Sequence, residues 1–295
     1  MLRLKRPDDL ATALGFPLAE LQDVAKNMHR HVREKAVTVR GKPRDTWRPS
    51  RRLAAIQGAI IERLLDSLPI SDCAHAYRKG RSIVSAASPH AGTAFLLSMD
   101  VKSFFPRTHH TRVYQLWLNL GCHADVARLL TKLTTYNGEL ATGLRTSNAI
   151  SNLLFARVDA RVKGLCQRCG LEYTRYSDNL TISGPHIPDQ VTRLAAQAVR
   201  DEGMSLPPQR AALSGPGCRK VVTRLVVNEK VNVGKGKCRE IRAEAHRYSQ
   251  DPGKHSDRKR RSIEGKINFV CYINPVKGAS LKRLMQEPAR RPSNA

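Results

Sequence analysis

An apolar run that stops on an acid limits the folds open to this chain more than any other feature. Residues 94–101 read AFLLSMDV, a strand-length apolar stretch with Asp100 at its end. Farther along, Leu171–Tyr176 and Leu180–Ser183 are two short strands parted by Ser177, Asp178 and Asn179. That pattern predicts a β-hairpin with an acid at its tip. Two carboxylates on neighbouring strands can hold a pair of divalent cations roughly 4 Å apart, the arrangement phosphoryl transfer from a nucleoside triphosphate needs. The spacing alone is weak, because acids at strand ends also serve as turn residues or structural pairs.

Helical segments surround these strands. Leu18, Leu21, Val24 and Met28 mark a short amphipathic piece, followed by a mixed basic run from His29 to Arg52. Ser50 is placed to cap a helix whose Leu53, Ile56, Ile60, Leu64 and Leu68 recur at helical spacing until Pro69 stops it. Further helices are predicted near 110–120 and 124–134, as one long element from Ser147 to Cys166, and near 188–202. A strand is predicted over Val221–Val227. After Asn228 the composition turns to glycine, lysine and arginine, with a charge run at 254–261 (KHSDRKRR), and a domain boundary is expected near 228.

Fifty-one Lys and Arg against twenty-five Asp and Glu leave a net charge of +26 on 295 residues. A field of that sign opposes compaction unless a polyanion meets it, and nucleic acid is the common partner. No apolar stretch of roughly 18 residues occurs and the N-terminus has no apolar core after its basic residues, so neither a membrane span nor a secretory signal is expected. Seven cysteines at irregular spacing fit reduced thiols in a cytoplasmic protein. Cys166 and Cys169 form a CxxC without the second pair a zinc site requires. No HExxH, GxSxG or P-loop is present.

Six segments in order carry a resemblance that covers about residues 40–285. They are Arg44–Pro49 with Leu53 and Gln57; His75–Ile83 (HAYRKGRSI); Met99–Phe105 (MDVKSFF); Gly143, Thr146, Ser147, Ser151, Asn152 and Leu153; Tyr176–Asn179 (YSDN); and Val222–Asn228 (VTRLVVN) with Gly265–Phe269 beyond it. The chain resembles the reverse transcriptases of the bacterial retron and group II intron type, with YSDN in place of their Tyr-x-Asp-Asp box. It departs from them where Ala141-Thr142 stands for Pro-Gln, where Ala86 stands for the Asn of the retron Asn-Ala-x-x-His box ending at His90, and where Arg224 replaces the Gly of Val-Thr-Gly.

The resemblance implies an α+β right-hand polymerase fold, with fingers, a palm built on an antiparallel sheet, and a helical thumb. Residues 1–93 would form the N-terminal and fingers region, 94–227 the palm with a fingers insertion, and 228–295 the thumb and basic tail. It implies an RNA-directed DNA polymerase that copies a structured non-coding RNA, with the RNA as template and primer, an RNA–DNA duplex as product and dNTPs as substrates. A role in anti-phage defence beside an effector or toxin protein, and no membrane partner, go with it. Asp100, Asp178 and Asn179 would be catalytic, and Asp100, Val101 and Asp178 would hold two Mg2+ ions. Lys42, Arg44, Arg78, Phe105, Thr142 and Gly143 would bind the nucleotide, with the Phe105 ring as a gate against a 2′-hydroxyl. Arg239, Arg242 and His246 recur at i, i+3 and i+7 on one helix face, a basic stripe suited to a nucleic-acid backbone. A defence reverse transcriptase outside the retron group, and an RNA-binding scaffold on the same fold, are the alternatives; the scaffold is motivated by Asn179 and Thr142.

Overall fold

The computed structural model describes residues 2–39 and 42–286, without the side chains of Val39, Lys42, Pro43 and Arg44. Lys42 and Arg44, expected at the nucleotide phosphates, therefore lie outside the described side chains.

Three short helices open the chain: α1 (Pro7–Leu14), α2 (Leu18–Lys26) and α3 (Met28–His31). The basic run that follows is not a loop. It forms a two-stranded antiparallel hairpin of β1 (Val32–Val39) and β2 (Lys42–Pro49), in register from Val32–Pro49 outward. Residues 33–36 are exposed, so the hairpin stands out from the body with solvent on both faces. Without a buried face it shows no period-two alternation, which is why the sequence conceals it.

Helix α4 (Arg51–Ile60) begins where expected, the Ser50 hydroxyl accepting from the Leu53 amide at 3.3 Å. Such a cap is worth about 1 kcal/mol. A π-helical turn, Ile61–Leu65, carries it on. Then follow α5 (Ile83–Ala87), β3 (Phe95–Asp100), α6 (His110–Asn119), α7 (Ala124–Thr134), α8 (Ser147–Leu154) and α9 (Ala156–Arg168). The single helix expected over 147–166 is thus two, broken at Phe155. The Phe155 ring is fully buried and packs on Phe104, centroids 5.1 Å apart.

The remainder comprises β4 (Glu172–Tyr176), β5 (Asn179–Gly184), α10 (Asp189–Asp201), β6 (Ala211–Ser214), three two-residue strands β7 (Val221–Val222), β8 (Leu225–Val226) and β9 (Asn232–Val233), and helices α11 (Lys235–Gln250), α12 (Asp257–Ile273) and α13 (Pro275–Gln286). The expected strand Val221–Val227 is instead a tight hairpin. Thr223 and Arg224, with φ of 47° and 71°, turn the chain back on itself. Two left-handed residues make the primed turn that matches strand twist, but neither is the Asn or Gly that would announce it.

The central sheet has the order β4-β5-β3-β6, every neighbour antiparallel. Alternation sorts its faces. Leu97, Met99, Leu180, Ile182 and Tyr173 pack on α9 and α10 in one core. Ser98, Thr181, Ser183 and Thr174 point the other way. A second core joins α1, α2, α4, α6 and α7 around Leu53, Ile56, Val113, Trp117 and Leu130. A third holds α11–α13 together through Ile241, Ala245, Ile263, Ile267, Val270 and Leu281.

Candidate active site

The two acids singled out by the sequence lie together where the two inner strands of the central sheet end. Asp100, last residue of β3, is directly opposite Asn179, first residue of β5. Opposed residues of an antiparallel pair have Cα atoms about 4.5–5.5 Å apart. Asp178 immediately precedes Asn179 in a two-residue turn, where Ser177 has a φ of 58°. The Val101 amide donates to the Asp178 carbonyl at 3.0 Å, so the backbones carrying the acids are tied together just past the strand ends.

On its other side Asp100 meets a residue that sequence reasoning missed. Met99 pairs with Ala211, which sets Arg210 opposite Asp100, and the Arg210 guanidinium forms an ion pair with the Asp100 carboxylate. Both side chains are about two-fifths exposed (42% and 39%), so water screens the pair and a divalent cation can compete for the carboxylate. In a chain with 51 Lys and Arg, no local signal marks this one.

Asn179 is half-buried on the same sheet face as Asp100. Its side-chain Nδ2 donates to the Ser98 hydroxyl at 3.1 Å, and its Oδ1 accepts from the Thr181 hydroxyl at 3.2 Å. Ser177 is held from two directions. Its hydroxyl accepts from the Tyr77 hydroxyl at 3.3 Å, and its carbonyl accepts from Arg175 Nη1 at 2.9 Å. Burial, then the neighbouring Tyr77, raises the Tyr176 phenol. Phe105 is partly buried, edge-on to Phe104 at 5.1 Å between the first two cores.

Thr142 and Gly143 meet the hairpin of β1 and β2. The Trp47 amide donates to the Thr142 carbonyl at 2.8 Å, and a Cβ added at Gly143 would sit 2.2 Å from the Trp47 carbonyl oxygen. With a φ of 102° as well, position 143 requires glycine for this close approach. One nitrogen of Arg78, Nη1, donates to the Ser71 and Ala74 carbonyls at 2.8 and 3.1 Å, bracing the loop before α5.

On the same sheet face as Ser98, the box ending at His90 has a clear structural part. The His90 ring is fully buried and bonded to Ser183 Oγ at 2.6 Å and Thr174 Oγ1 at 2.7 Å. Burial, with a smaller contribution from His75, pushes its pKa down to about 4, so the ring is neutral. His75, bonded to Ser85 Oγ at 2.9 Å, is likewise pushed down to about 4 by burial and by Arg81 and Arg78.

Arg239, Arg242 and His246 are all exposed on α11. The two arginines line a groove of roughly 290 Å³ between α11 and α13 together with Lys235 and Lys277. Glu240 and Glu244 are neutralised off this stripe by Lys237 and Lys266. Of the CxxC pair, Cys166 is buried, its thiol pushed up to about 12, and Cys169 is exposed. Among the described residues no cluster of three or more His, Cys, Asp or Glu forms, and no helix is long and apolar enough to cross a membrane.

Comparison with models of protein families finds no match. Comparison with known proteins does. The chain is 33% identical over 245 residues to the retron Ec86 reverse transcriptase of Escherichia coli, covering 82% of this chain and 74% of that protein. It is 31% identical over 303 residues to the retron Mx65 reverse transcriptase of Myxococcus xanthus, covering 94% of this chain and 70% of that one. The chain belongs to the retron reverse transcriptases. It is an RNA-directed DNA polymerase, in a family that works with divalent metals. Among solved structures, telomerase from Candida albicans, in complex with a fragment of telomeric RNA, superposes with a TM-score of 0.50 at 9% identity. The match covers 88% of this chain and 58% of the telomerase chain. At that identity it bears on the fold alone, and the fold is the right-hand polymerase.

Proposed function

We propose that this retron reverse transcriptase copies a structured non-coding RNA into DNA, with Asp100 and Asp178 as the carboxylates that hold two Mg2+ ions. The opposition of Asp100 and Asn179, with the Val101 amide on the Asp178 carbonyl, carries the reading. Two carboxylates and backbone oxygens where these strands end make a hard, all-oxygen donor set that suits Mg2+ and not zinc. When bound, such ions would make a 3′-hydroxyl nucleophilic and neutralise the departing pyrophosphate.

The chain's own residues supply the rest. Asp100 gives up its ion pair with Arg210, which leaves a guanidinium at the edge of the site, free to contact phosphate oxygens. Asn179 keeps the end of β5 in register through Ser98 and Thr181, so it acts on the site through strand position. Phe105, five positions past the first acid, would face the sugar and disfavour a 2′-hydroxyl. The Arg239 and Arg242 groove follows the phosphodiester backbone without reading sequence. Residues 1–93 with part of 106–150 act as fingers, 94–227 as palm and 228 onward as thumb. The RNA partner, a branched RNA–DNA product and a cytoplasmic role in defence against phage complete the proposal.

Labelled dNTP incorporation on a primed RNA template tests it. Asp100→Ala should lower incorporation by about 1000-fold or more, roughly 4 kcal/mol of transition-state stabilisation, while the melting temperature holds. Equal incorporation by both proteins would overturn the assignment. Sequencing nucleic acid that co-purifies with the protein should return RNA joined to DNA, and long repetitive DNA would speak against the retron product.

A further inference from the structure

Beneath the turn that carries Asp178, on the sheet face away from Ser98, lies an arginine with no exposure to solvent. Arg175 is on β4 opposite Leu180, and its guanidinium is shared among α8, α9 and the turn after β4. Nε and Nη2 fork onto the two carboxylate oxygens of Asp159 on α9, each at 2.8 Å. Nη1 donates to Asn152 Oδ1 on α8 at 3.1 Å and to the Ser177 carbonyl at 2.9 Å. The plane lies 4.5 Å above the Phe155 ring, at the break between α8 and α9. Arg175 also anchors the segment before α5: its amide donates to the Cys73 carbonyl at 2.7 Å and its carbonyl accepts from His75 at 2.9 Å.

The contact with Ser177 is the informative one. That carbonyl belongs to the peptide joining Ser177 to Asp178, in a turn whose first residue has a positive φ. Fixing the plane of this peptide fixes the direction in which the chain leaves for the Asp178 Cα. Of the groups in the cluster, Tyr173 reaches Asp159 at 2.8 Å and Asn152 reaches the Ala76 carbonyl at 2.9 Å. Arg175 extends from that cluster to the turn. Its planar fork satisfies Asp159 and still presents a further N–H in a fixed direction, which a lysine ammonium cannot do.

We infer that Arg175 is a positioning residue: held by Asp159, it clamps the Ser177–Asp178 peptide and so sets the Asp178 carboxylate for the metals. It touches neither substrate nor metal. The inference rests on the reading of Asp100 and Asp178 as the metal-holding pair. A displacement of about 1 Å at a reacting group is enough for a 100-fold loss of rate, so a clamp one peptide away has leverage on turnover.

Arg175→Lys tests the clamp, because it keeps a cation for Asp159 and loses the fork. The assays are incorporation against Mg2+ concentration, the kcat and KM for dNTP, and affinity for primer–template. The clamp predicts kcat lower by about 10- to 100-fold and a half-saturating Mg2+ concentration several-fold higher, with KM and primer–template affinity within about two-fold. Tyr173→Phe is the control: it removes a bond to Asp159 in the same cluster and should leave the Mg2+ titration at its wild-type position. Should Arg175→Lys fail to fold, the double variant Arg175→Gln with Asp159→Asn keeps the site charge-balanced, and the same shift is expected of it.

A folded Arg175 variant with wild-type kcat and Mg2+ dependence would overturn the clamp. So would a Tyr173→Phe variant shifted as far as Arg175→Lys, since the cluster would then matter only as packing. Asp100→Ala, run alongside, separates the two readings. If it retains incorporation, the metal-pair assignment fails; if it abolishes incorporation while Arg175→Lys is normal, only the clamp fails.

Discussion

Two aspartate–arginine pairs, one on each side of the strand ends at Asp100 and Asn179, show how differently one chemistry behaves with depth. Asp159 and Arg175 are fully buried, bidentate and surrounded by further hydrogen bonds. Asp100 and Arg210 sit at the edge of the candidate site with two-fifths of each side chain in water. The interior pair has no solvent to replace a lost partner, so it is committed to one geometry. The edge pair is screened, and either member can exchange its partner at little cost. Under the proposed metal-pair reading, the interior pair would serve as a fixed platform and Asp100 as an acid able to change its cation.

The sharpest way to break that contrast is to remove one member of the interior pair. Asp159→Asn leaves the Arg175 charge buried and unmatched, and should cost about 3–5 kcal/mol in denaturant unfolding. Removing the charge from both members, with Arg175→Gln and Asp159→Asn together, should recover much of that loss. A single variant as stable as wild type would show that water reaches the pair.

Acid should weaken the same interior next. The folded protein holds His90 and His75 with pKa values near 4, below the ordinary 6.5 of an unfolded chain. Between those values the unfolded state binds more protons. Stability is therefore full above about pH 6.5 and falls as pH drops toward 4, by about 3 kcal/mol for His90. Unfolding midpoints at pH 7 and pH 5 measure it, and His90→Asn should flatten the slope.

The smallest effect belongs at the edge. Arg210→Ala should change stability by less than about 1 kcal/mol, the usual worth of an exposed pair. It should also lower the Mg2+ concentration needed for half-maximal incorporation, because a competing cation leaves Asp100. An Arg210→Ala variant that unfolds easily would mean the edge pair is structural after all, and the contrast would collapse.

What could be read from the sequence follows the same division. β3, β4, β5 and the helices flanking them were legible because each buries an apolar face, and burial writes itself as a run or a period. The acids at 100 and 178 were legible because they end those runs. The hairpin of β1 and β2 was not, since both its faces meet water. The break at Phe155 was not, since a buried phenylalanine looks like any helix-face residue. Thr223 and Arg224 turn the chain without a glycine to signal it. Arg175 and Arg210 were hidden by number: among so many cations, only a partner across the fold distinguishes one.

The stitch between Trp47 and the loop at Thr142–Gly143 has a mechanical consequence. Each strand of the projecting hairpin has eight residues, which makes an arm of about 26 Å pinned near its root. The fulcrum is backbone against backbone, with no side chain to cushion it. Any methyl placed at position 143 would act as a wedge there, and so short an offset at the pivot would be multiplied into a large swing at the far end.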